Sequence, residues 1–133
     1  MSAAQSAPLS STPYERLGGA PVFAAIAERF YDLMETDPAY ARLRAMHAPD
    51  LAPMRASLPR FLAGWAGGPR DWFEANPGRC MMSLHKPMTI DADVAGQWAE
   101  AMERAIAEVA PEPADMAAAM SEVLGRLARG MAR

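Results

Sequence analysis

Cysteine and histidine are scarce in this chain of 133 residues, which has one Cys and two His. A lone Cys80 cannot close an internal disulfide, which fits a reducing compartment and makes the cytoplasm the expected location. Spacings such as CxxC or HExxH do not occur, so the common zinc and dithiol sites are excluded. A Gly-rich phosphate loop is also lacking, and nothing marks a base beside Cys80, so nucleophilic catalysis has no support.

Positive charge is no more plentiful. Thirteen Lys and Arg stand against 16 Asp and Glu, for a net charge of -3. That balance gives no basic field for a phosphate backbone and argues against a nucleic-acid partner. Apolar runs stay well below the ~18 to 20 residues of a membrane span, so no membrane partner is expected. Alternating β-branched stretches are nearly absent, which removes the strand signal.

What is present is a composition for a helical, folded chain: 51% hydrophobic and 22% charged residues, rich in Ala and Met. The length suits one domain. Residues 1–11, MSAAQSAPLSS, read as a flexible tail ahead of a single domain over 12–133. Thr12-Pro13-Tyr14-Glu15 carries a cap residue, a Pro for the first helical position and a Glu three residues on, which together open a helix that stops at Gly18-Gly19. A second helix is expected from Pro21 to about Met34, with Val22, Phe23, Ile26, Phe30 and Leu33 at helical spacing. A short helix and loop should occupy 39–52, followed by a helix presenting Met54, Leu58, Phe61, Leu62 and Trp65 on one face. Gly67-Gly68-Pro69 breaks that helix, and mostly loop with one short helix is expected as far as Pro87. Asp91 then caps a long helix with Val94, Trp98, Met102 and Ile106, and Pro111 and Pro113 separate it from a last helix. A long irregular segment in so small a domain implies that something other than protein packing organises it.

His85 stands among Met81, Met82, Leu84, Pro87 and Met88. In such a wall a histidine is either buried against a backbone carbonyl or an axial ligand to iron, since haem ligation takes a neutral imidazole in apolar surroundings. Tyr31 and Trp98 are core aromatics or donors into a pocket. His47, as bare sequence, reads as a solvated loop residue. Met54, Leu58 and Phe61 are ordinary core positions as bare sequence.

The run Tyr14-Glu15-Arg16-Leu17-Gly18-Gly19, then Phe30-Tyr31-Asp32, then Phe61-Leu62 with Trp65 and Gly67-Gly68-Pro69, then His85 and Trp98, resembles a group II truncated haemoglobin over roughly residues 12 to 110. The resemblance implies an all-α, truncated globin-like two-over-two helical sandwich that binds haem b, with His85 as the proximal iron ligand. It further implies that Tyr31 and Trp98 direct polar hydrogens at a diatomic ligand, that His47 lies in the region of a polar distal residue, and that Met54, Leu58 and Phe61 form the distal wall. Where the family carries several arginines for the haem propionates, this chain has Cys80, Met82 and Leu84, with only Arg79 and Lys86 nearby. One charge-assisted bond contributes about 1 to 3 kcal/mol, less than the iron ligand and the apolar burial together.

The function expected is therefore binding of dioxygen, nitric oxide or carbon monoxide, by a monomer or homodimer. The same pocket would serve nitric oxide dioxygenase or peroxidase-like chemistry, given an external reductase to return the iron to the ferrous state. The contrasting expectation is a haem-free globin-like helical domain acting through protein–protein contacts, motivated by the missing arginines.

Overall fold

A computed structural model describes residues 12–77, 90–110 and 112–132, and those residues are helices and short connections without a strand. Seven α-helices are described: α1 (Pro13–Leu17), α2 (Ala20–Thr36), α3 (Ala41–Ala45), α4 (Ala52–Trp65), α5 (Asp71–Ala75), α6 (Ala92–Val109) and α7 (Ala114–Gly130), with a 3₁₀ turn at Pro38–Tyr40. The most extensive packing joins α6 to α7, α2 to α6 and α2 to α4. Two helix pairs, α2–α4 and α6–α7, are thus stacked through the α2–α6 face, the two-over-two arrangement expected from the resemblance.

Local chemistry accounts for the boundaries. Thr12 caps α1 with a full capping box: the Glu15 amide donates to its hydroxyl at 3.2 Å, and its own amide donates to the Glu15 carboxylate at 3.0 Å. Gly18 and Gly19 end that helix at φ 124° and 74°, a region that L side chains avoid. The second helix starts one residue before Pro21 and runs two beyond Met34. Its apolar stripe of Phe23, Ile26, Phe30, Leu33 and Met34 is buried.

Pro59 lies inside α4, a position that sequence reasoning did not weigh. Having no N–H, it cannot bond the carbonyl of Arg55 one turn earlier. Burial of Leu58, Phe61 and Leu62 on one side holds the helix together across the gap. The short helix expected after Gly68 is α5, whereas residues 78–89, where mostly loop is expected as far as Pro87, lie outside the described residues. Among the described residues no helix is long and apolar enough to cross a membrane.

Asp91 caps α6 by accepting from the Val94 amide at 2.9 Å, and Arg42 pairs with it and with Asp93. The Val94 amide first, then the Arg42 guanidinium, holds the Asp91 carboxyl below its usual range. A carboxyl depressed in the folded state stabilises that state above the unfolded value, near pH 4, and loses the contribution as pH falls through the folded value. Asp91→Ala is therefore expected to lower the melting temperature at pH 7, and the difference from the parent should shrink below about pH 4. Thermal melts at pH 7, 4 and 3 check this.

Candidate functional site

A cavity of about 200 Å³ opens between α3, the start of α4, α6 and α7. Leu43, Met46 and His47 line it from α3 and the residues after it, and Met54 from α4. Ile90, Val94, Ala95 and Trp98 contribute from α6 and the residue before its cap, and Leu124, Leu127, Ala128 and Met131 from α7 and its end. The lining is apolar apart from an imidazole and an indole, the composition of a pocket for a largely apolar ligand held by few polar groups. Three of the walls are methionines, whose unbranched side chains repack readily around an irregular guest. A larger groove of about 1030 Å³ runs along α6 and α7, but Ala, Gly and carboxylates dominate its lining and it has no His or Trp.

The sequence-derived residues fall into three groups. His47, Met54 and Trp98 meet in the cavity wall. Tyr31 is buried beside them on α2: its ring centre lies 6.2 Å from that of His47, edge to face. Phe30 ties the two donors together, with ring centres 5.0 Å from Tyr31 and 5.3 Å from Trp98. Leu58 and Phe61 are core residues that do not line the cavity, and Phe61 packs instead on Trp72 and Phe73. His85, Arg79 and Lys86 lie outside the described residues.

The polar tips in this region are informative. Among the described residues no hydrogen bond is made by the Tyr31 hydroxyl or the Trp98 indole N–H, and no buried side-chain N or O atom lacks a partner. Both tips must therefore touch accessible space, on side chains otherwise packed in aromatic and aliphatic surroundings. Burial pushes the Tyr31 hydroxyl well above its usual range, while the charge of Arg55 works in the opposite direction. The phenol is accordingly neutral at ordinary pH and keeps a proton that it can donate. Nδ1 of His47 is 2.8 Å from the Leu43 carbonyl, which only accepts, so that nitrogen carries the proton and the ring orientation is fixed.

Sequence reasoning missed Arg55. Its side chain, 20% exposed, lies against Glu28, Asp32 and Glu35 of α2 and 5.9 Å from the centre of the Tyr31 ring. The signal was present as acidic residues at i, i+4 and i+7, which line one face of a helix. Among the described residues no group of three or more His, Cys, Asp or Glu suits a metal ion.

Apolar walls, adaptable methionines and two ring donors with no acceptor among the described residues suit an apolar guest that carries a small polar group. The family model for bacterial-like globins matches residues 12–132. A cold-adapted truncated haemoglobin from the Antarctic marine bacterium Pseudoalteromonas haloplanktis TAC125 is 35% identical, with 92% of this chain and 98% of that one covered at a TM-score of 0.87. A group II 2-on-2 haemoglobin from the plant pathogen Agrobacterium tumefaciens is 31% identical over 93% and 95% of the two chains, with a TM-score of 0.88. A thermostable haemoglobin from the actinobacterium Thermobifida fusca is 30% identical over 92% and 98%, at 0.81.

Proposed function

We propose, from the premise that this chain belongs to the bacterial-like globin family, that it binds haem b through His85 and takes dioxygen or another diatomic gas on the side of Tyr31 and Trp98. When bound, the haem supplies an iron that accepts the gas and changes oxidation state. The observation that carries the reading is the pair of ring donors, a neutral phenol O–H and an indole N–H, with no acceptor among the described residues.

Each residue then has a task. Tyr31 and Trp98 donate to the partial negative charge that the gas ligand acquires, from rigid aromatic bodies that lose little freedom in doing so. Phe30 sets their separation through its contacts with both rings. His47 presents an imidazole held in one orientation by Leu43. Leu43, Val94, Leu124 and Leu127 exclude water, which strengthens every hydrogen bond inside. Arg79 and Lys86 are assigned to the haem propionates.

Two donors on one ligand slow its release, which suits redox use better than delivery. We therefore favour nitric oxide dioxygenase or peroxidase-like chemistry supported by an external reductase, in the cytoplasm. Haem titration of the purified protein, followed by its ultraviolet and visible spectrum, tests the reading. One-to-one binding with a Soret band is expected, shifting on reduction under carbon monoxide, with His85→Ala losing the band or changing its position. Saturation without a specific band would refute it and leave the haem-free domain acting through protein contacts.

A further inference from the structure

Arg55 bridges two helices in an unusual way. Its Nη1 donates to the Glu28 carbonyl at 3.3 Å and to the Glu28 carboxylate, while Nη2 reaches Asp32 at 3.0 Å and Glu35 at 2.7 Å. Glu28, Tyr31, Asp32 and Glu35 are spaced 3, 1 and 3 residues apart on α2, so Tyr31 sits within the same stripe as the three carboxylates. Seven residues of helix span about 10 Å, and a guanidinium fork reaches both ends of such a stripe because its donors point in fixed, divergent directions. The cation is thereby held at 5.9 Å from the Tyr31 ring centre, within the range of cation–π attraction.

We propose that Arg55 is a positioning residue for the Tyr31 phenol: braced on Glu28, Asp32 and Glu35, it fixes the ring and polarises the O–H as a donor. The physics is electrostatic. The Arg55 charge favours negative charge at the phenol oxygen, Glu28, Asp32 and Glu35 hold that cation in place, and the His47 ring packs edge to face on the Tyr31 ring. Arg44, 3.8 Å from Glu35, belongs to the same cluster. A cation held beside the ring draws electron density from the phenol, which makes the O–H a stronger donor. This deepens the haem reading and rests on it for the ligand, but not for the coupling between Arg55 and Tyr31.

The test places a fluorinated tyrosine, whose phenol titrates nearer neutrality, at position 31 and follows its ¹⁹F signal with pH in the full chain. Arg55→Met is expected to raise the titration midpoint by about one unit, and Arg55→Lys, which keeps the charge but loses the fork, by less. In haem-loaded protein with Tyr31 intact, Arg55→Met should speed dioxygen release about five- to tenfold, and in a Tyr31→Phe background it should change nothing. A merely structural brace would lower thermal stability, leave the ¹⁹F titration in place and act equally in both backgrounds. A midpoint unmoved by Arg55→Met overturns the proposal, as does a release rate that responds identically with and without the Tyr31 hydroxyl. A chain that takes up no haem refutes the haem reading, while the titration still decides the part of Arg55.

Discussion

Phe30→Ala is expected to destabilise the fold by about 3–5 kcal/mol, the cost of removing a large aromatic side chain from a core that collapses only partly around the void. Phe30 is fully buried, at 0% exposure, on α2, where it meets Trp98 of α6. It loses two edge-to-face ring contacts at once, with Tyr31 and with Trp98. A loss of this size is a large part of the roughly 5–15 kcal/mol that holds a small domain together. Urea unfolding of parent and variant, compared at equal slope, measures it. Phe30→Leu should recover much of the stability but not the spacing of the two donors, so ligand kinetics should stay altered in a variant that folds well. A loss under 1 kcal/mol for the alanine variant would contradict the packing described for this position.

Tyr31→Phe tests chemistry with little cost to the fold. The hydroxyl makes no hydrogen bond to the described residues, so removing it strands no partner and leaves the buried ring in place. A hydrogen bond to a charged acceptor contributes about 1.5–3 kcal/mol. Dioxygen release from the haem-loaded variant should therefore be about 10- to 100-fold faster, at about 1.4 kcal/mol per tenfold. Stopped-flow displacement by carbon monoxide reads this directly, and a rate equal to that of the parent would show that the phenol does not donate to the ligand.

Much of the fold was legible because its boundaries are set by nearby residues. Thr12 and Asp91 cap their helices by bonds spanning three residues, and Gly18-Gly19 and Gly67-Gly68 mark turns by the absence of a side chain. Pro59 escaped because its local preference against helix interiors is overridden by burial on either side, a tertiary effect. The site divides in the same manner. Tyr31 and Trp98 stand out as donors on apolar helices, and the structure brings them to the two sides of Phe30. Leu58 and Phe61 share the helical spacing of Met54, but that periodicity alone does not tell core from cavity wall. Phe61 turns to Trp72 and Phe73, partners on α5 that no pattern within α4 announces. Arg55 was hidden because its role depends on which helix lies opposite, whereas Glu28, Asp32 and Glu35 read as a solvated face until a cation is placed against them.

The proline within α4 has a mechanical consequence. With the Arg55 carbonyl released from the helical ladder, the segment that carries Met54 at the cavity wall and Arg55 beside Tyr31 is joined to the rest of α4 by one backbone bond fewer. Beyond the break, Phe61 and Leu62 are anchored in the core, while Met54 on the near side is 38% exposed. The carboxylates of α2 that grip Arg55 fasten that end of α4 to the neighbouring helix. One ion cluster thus governs both the placement of the cation beside Tyr31 and the attachment of the helix end that carries Met54 to the cavity wall.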